Sequence, residues 1–210
     1  MMSHNDSAPI VVGVDVGGAK KGFHAVALRD DQFLQKLATH NASKMVEWVR
    51  TINASVVGID APCCWSRTGQ ARLCERVLAA ERIHAFATPS QAVAERNPFY
   101  RWMLNGAELF RLITPHYRLF DGQHLPSRPM CFETFPQAVA CALAGTIVSA
   151  KDKRSVRRRL LREAGLSIGI LTNIDLVDAA LCALTAQHLL NRTFKTYGDA
   201  AEGFIVVPKT

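Results

Sequence analysis

Residues 11–18 read VVGVDVGG, four valines around a single carboxylate with two glycines directly behind them. Branched side chains favour a pleated, buried strand, and the paired glycines favour a tight turn at its end. A carboxylate in such surroundings needs donors, a cation or a metal, because leaving it unpaired away from water is costly. Asp15 therefore either shapes the turn by bonding to backbone amides or faces a cation. The placement of the other acids decides between these.

Read onward, the pattern predicts strands over Ile10–Val16, Gly22–Leu28 and Gln32–Thr39, joined by short polar or glycine-containing turns as an antiparallel meander. Ser43 would cap a helix with Met45, Val46, Val49 and Ile52 on one stripe. The run SVVGID, Ser55–Asp60, is apolar up to its terminal acid and is entered from a helix, so it reads as a central strand parallel to the first. Residues from about 62 to 129 differ in character. Helices are predicted over Thr68–Ile83 and, interrupted at Asn97-Pro98, over Gln91–Leu112, followed by a proline-rich loop. We read this block as a helical insertion beside the sheet. A strand at Met130–Phe135 carries Glu133, and helices follow at Gln137–Ala144 and Asn173–Leu190, with a last edge strand at Gly203–Val207.

The 210 residues, 49% of them hydrophobic, suffice for one packed domain and fall short of two, so 10–210 is expected to be a single domain behind a disordered tail, 1–9. The first residues show no basic and apolar leader pattern, and no stretch approaches the ~18 apolar residues of a membrane span, which predicts a cytoplasmic protein. Six cysteines occur without CxxC or finger-like spacing, so packing thiols are expected rather than a disulfide framework or structural zinc. Nearly all of the +7 net charge lies between Lys151 and Arg162, where seven basic residues face one acid. Val156, Leu160, Leu161 and Ala164 fall at helical spacing, which turns most of the arginines outward. Such a face suits a phosphate backbone, or is simply a solvated helix surface.

Four acids stand in apolar settings: Asp15, Asp60, Glu133 and Asp178, the last among Val177, Ala179, Ala180 and Leu181 with no cation within one turn. Brought together they would repel one another unless a cation sat between them. Oxygen-only ligands select hard ions, so Mg²⁺ or Mn²⁺ is the expected cofactor. Two such ions ~3.5–4 Å apart support in-line hydrolysis of a phosphodiester.

The order of meander, helix, acid-ended strand, further strand and acid-bearing helix resembles the ribonuclease H-like fold. More closely, the chain resembles domain-of-unknown-function family 429, whose members are described as predicted nucleases of that fold. VGVDVGG at 12–18, VGIDAP at 57–62, RLCER at 72–76, FATP at 86–89, ETFP at 133–136, KDKRSVRRRLL at 151–161 and DLVDAALCALTA at 175–186 carry the resemblance in order along the chain. It implies an α/β fold with a mixed five-stranded sheet in the order 3-2-1-4-5, flanked by helices. It also implies a metal-dependent nuclease with Asp15, Asp60, Glu133 and Asp178 as catalytic ligands. Asp175, one turn before Asp178, would be a further ligand. Lys151 and Lys153, with Arg154, Arg157 and Arg158, would meet the nucleic acid.

Two other functions fit parts of the sequence. In sugar-kinase and actin-like proteins a similar hairpin, here DVGGAKKG, faces ATP phosphates through residues placed like Gly17, Gly18 and Lys20 or Lys21. A non-catalytic nucleic-acid-binding protein would use the basic helix alone. A fold does not choose among these.

Overall fold

The computed structural model describes residues 8–123 and 129–209. The expected disordered tail therefore lies outside the described residues apart from its last two positions, as does the centre of the proline-rich loop. Strands β1 (Ile10–Val16), β2 (Phe23–Arg29) and β3 (Gln32–Thr39) form the antiparallel meander, followed by α1 (Ala42–Thr51) and β4 (Ala54–Asp60). Next come α2 (Leu73–Ala80), α3 (Gln91–Arg96), a 3-10 turn at Pro98–Tyr100, α4 (Arg101–Ile113) and the short β5 (Arg118–Leu119). The chain continues through β6 (Met130–Thr134), α5 (Pro136–Ala144), α6 (Lys153–Glu163), α7 (Ile174–Leu190), β7 (Phe194–Asp199) and β8 (Gly203–Pro208).

Among the described residues, eight strands join one mixed sheet in the order β3-β2-β1-β4-β6-β8-β7, with β5 paired to β6. This corrects the expected five strands. Beyond β4 the order changes because the chain returns after α7 to add β8 and β7 outside β6. β1 pairs in parallel with β4, and β4 with β6, while β1–β2, β2–β3 and β7–β8 are antiparallel. α1 is capped by Asn41, whose Oδ1 accepts from the Lys44 amide at 3.0 Å, rather than by Ser43.

The pleat divides the core. Val12, Val14, Val57 and Ile59 pack with α1 and α4 on one face, while Val11 and Val56 face α7 on the other. α7 is apolar almost all round because it lies between the sheet and helices α5 and α6. Its closeness depends on two glycines. Gly13 and Gly58 are partners across β1 and β4; a Cβ on Gly13 would lie 2.0 Å from Ala179 O, and one on Gly58 would lie 2.7 Å from Cys182 O. With no side chain at either position, the α7 backbone rests directly on the sheet, two residues before the strands reach their acids. Among the described residues no helix is long and apolar enough to cross a membrane.

Candidate active site

Asp15 and Asp60 are direct partners in the parallel β1–β4 pairing, so both carboxyls leave the sheet on the α7 face at the same level. α7 brings Asp178 into range from above. Asp15 and Asp178 are both buried, and Asp60 is partly so. Burial, then the negative charges of Asp178 and Asp175, push the Asp15 carboxyl up to about 7. Lys21 and a hydrogen bond with Asp60 work in the other direction. Asp60 is raised well above the ordinary carboxylate range by burial and by Asp15 and Asp178, so the two carboxyls resist being charged together.

The other two acids of the cluster have cationic partners. Arg157, reaching inward from α6, forms a close ion pair with Asp178 and donates from Nη2 to Gln137 Oε1 at 3.0 Å. This is the partner that Asp178 lacks on its own helix. Burial still raises Asp178, with Arg157 and Lys153 opposing. Asp175 accepts from Lys21 Nζ at 2.6 Å, which ties the β1–β2 hairpin to the start of α7. The helix cap that Asp175 might have supplied comes from Asn173, whose Oδ1 accepts from the Leu176 amide at 2.8 Å. In the same hairpin, Gly17 N donates to Gly22 O, and the amides of Lys21 and Gly22 both donate to Gly18 O. Those three amides are spent inside the loop, which weakens it as a phosphate cradle.

Glu133 does not join the cluster. It pairs with Ile59, one residue short of Asp60, and the alternation of the strand turns it to the opposite face. There it receives Arg72 Nη1 at 2.9 Å, Arg72 Nη2 at 2.5 Å and the Cys63 amide at 2.8 Å. Arg72 also donates from Nε to Glu75 at 2.9 Å, and Glu75 accepts from the amide and hydroxyl of Thr88. Burial opposes the charge of Arg72, but Glu133 outweighs it and raises the pKa. Glu75 and Thr88 do not stand out in the sequence, although RLCER and FATP contain them. Among the described residues, no three His, Cys, Asp or Glu side chains converge as a metal-binding group. The donors that remain paired with each other rather than with a cation are Asp15 and Asp60.

A family model described as a protein of unknown function (DUF429) matches residues 13–202. The chain belongs to the DUF429 family. Comparison with curated proteins returns no match. A solved structure of Thermus thermophilus RuvC is similar at 15% identity, with a TM-score of 0.42, over 87% of this chain and 95% of that one.

The basic stretch of this DUF429 chain divides in two. Lys151, Lys153 and Arg154 are exposed at the start of α6. Arg157 is buried on Asp178, and Arg158 donates to Leu171 O at 2.5 Å, bracing the loop before α7, so neither is directed outward. The signal was present: Arg157 precedes Leu160 and Leu161 by three and four residues and so shares their inward face. His24 was also missed. It is the β2 partner of Asp15, half-buried, with an Nδ1 that has no hydrogen-bond partner, and burial lowers its pKa. All six cysteines are free thiols.

Proposed function

We propose that this protein hydrolyses phosphodiester bonds in nucleic acid with the help of a divalent cation held by Asp15 and Asp60. One observation carries the reading: two carboxyls directly paired at the ends of adjacent parallel strands are each pushed up by burial and by neighbouring carboxylates. A hard divalent ion fits this all-oxygen pair, and magnesium sites often use only one or two carboxylates, with water completing the shell. When bound, such an ion polarises a phosphoryl oxygen and makes a water more acidic.

The chain's own residues supply the rest. With Asp15 pushed up to about 7 in the absence of metal, cation binding at the pair would displace a proton near neutral pH. Asp178 is held beside the pair by Arg157 and adds negative field without being a free ligand. Lys21 fixes the hairpin over Asp175, and His24, kept neutral by burial, places an unpartnered Nδ1 beside Asp15. Lys151, Lys153 and Arg154 attract the phosphate backbone without reading sequence.

The test is cleavage of DNA, RNA and branched substrates with Mn²⁺ by wild type, Asp15→Asn and Asp178→Asn. Asp15→Asn is expected to cost at least the roughly 10–100-fold that loss of an outer-shell partner costs at metal sites. Cleavage unchanged in both variants would remove the proposal.

A further inference from the structure

Beside the paired acids the surface carries exposed aromatic rings, which a water-soluble helix surface has no need of. Phe86 is 62% exposed and Phe99 53%. Their centroids lie 5.4 Å apart, Phe86 also stands 6.3 Å from Trp102, and Phe99 stands 5.1 Å from Tyr100, each pair edge to face. The rings come from the loop after α2 and from the turn and first residues of α4. The fold therefore gathers them from separate segments.

Two cavities meet at this cluster, with Trp102 lining both. The first, about 550 Å³, is a basic trough: Lys20, Lys21, Arg96 and Arg101 line it, with Phe99 on its wall and Glu95 as the opposing acid. Lys20, Arg96 and Arg101 form no ion pair among the described residues. The second, about 210 Å³, is lined by Asp60, Phe86, Trp102 and Phe135 together with the ion-paired Arg72 and Glu133. That is smaller than the roughly 300–1,000 Å³ clefts that hold drug-sized ligands, and suits a single flat ring system.

A basic trough alone fits any polyanion, and an aromatic patch alone fits many partners. Their junction at Trp102, with Asp60 lining the smaller cavity, fits a polymer of alternating phosphates and flat rings. Bases stack on exposed aromatic faces only when they are free of a duplex, since paired bases already stack on one another. We propose that this face binds unpaired polynucleotide, with the backbone in the Lys20–Arg101 trough, bases against Phe86 and Phe99, and one base seated in the cavity beside Asp60. The inference rests on the phosphodiesterase reading of Asp15 and Asp60, whose substrate class it narrows to unpaired or splayed strands.

The experiment is fluorescence anisotropy of a labelled oligothymidylate of about twenty nucleotides, longer than a typical single-strand site, against the corresponding dT–dA duplex. Full-length protein is used in EDTA so that no cleavage intervenes. The expected result is at least about tenfold tighter binding of the single strand, lost to a similar degree in Phe86→Ala and Phe99→Ala, with duplex binding unchanged. Both rings are exposed, so both variants should melt with the wild type. The double variant Arg96→Ala/Arg101→Ala should reduce the single-strand salt slope by about 1.4. Equal binding of the two probes, no binding of either, or phenylalanine variants that behave as wild type would overturn the inference, as would loss of self-association as the only effect of those variants. Cleavage by the wild type in Mn²⁺ is scored separately. Strand preference without cleavage sinks the hydrolase alone, and cleavage without strand preference sinks the base site alone.

Discussion

Two groups of buried carboxylates stand near the same end of this sheet, and the contrast between them separates scaffold from chemistry. Glu133 and Glu75 close on Arg72, with the amide of Cys63 and both donors of Thr88 filling the remaining oxygen positions. Asp15 and Asp60, on the opposite face, have each other, and the nearest arginine is already engaged by Asp178. The first group resembles a finished core, where one guanidinium spans both carboxylates and each of their oxygens accepts a hydrogen bond. The second is left short of positive charge. Such a deficit is tolerated only where the rest of the fold holds it, as Gly13, Gly58 and α7 do here, and it is the state a cation relieves.

The largest expected effect comes from breaking the hydrogen-bonded group around Arg72. Arg72→Met leaves Glu133 and Glu75 buried without a counter-charge and should lower stability by roughly 3–5 kcal/mol, read by urea unfolding. A loss below about 1 kcal/mol would mean that the network is not the compensated core described. Next, Gly13→Ala drives a methyl into the α7 backbone at Ala179 and Ala183. It should cost about 1–3 kcal/mol and, by lifting Asp178 away from Asp15, reduce cleavage more than stability alone accounts for. Wild-type activity with reduced stability would detach α7 from the site.

The Asp15–Asp60 group has its own pH signature. The folded pKa of Asp15 is raised from 3.8 to about 7, so the native state holds a proton that the unfolded chain has released across that window. In EDTA the wild type should therefore lose stability relative to Asp15→Asn as pH rises toward 7, by up to about 1.4 kcal/mol per pH unit. Melting curves that run parallel for the two proteins would show that Asp15 is not so burdened. The smallest effect belongs to the surface. Arg159, on the outward side of α6, pairs with exposed Glu163 at 2.9 Å, and Arg159→Ala should change stability by no more than about 0.5 kcal/mol. Its neighbour Arg157 should behave as part of the buried cluster, and Arg157→Met should be several times more costly.

Much of this was legible in the chain because strands with strongly apolar runs announce themselves. β1 is buried at every residue, and the sequence placed it at Ile10–Val16 as the structure does. β7 was not foreseen, since FKTYGD has no apolar alternation and becomes a strand by pairing with β8 at the sheet edge. β5, two residues long, has no pattern to read. The same limit governs the site. Asp15 and Asp60 each end a recognisable strand, whereas the direction of Glu133 depends on a one-residue register against Ile59, set across more than seventy residues of chain. Arg157 lies in a run of seven basic residues whose charge alone suggests surface, and its spacing to Leu160 and Leu161 is what turns it inward. Its partner Asp178 lies 21 residues later, and only the packing of α6 on α7 joins them.

The central claim is that the Asp15–Asp60 pair takes a divalent cation, whose binding would displace protons from the two carboxyls. Isothermal titration of Mn²⁺ into the wild type at several pH values, repeated in buffers of different ionisation enthalpy, tests it directly. Binding that releases a proton, strengthens as pH rises through about 7 and is abolished in Asp15→Asn is the predicted result. Binding of equal strength in Asp15→Asn, or no binding to the wild type at any pH, would contradict it.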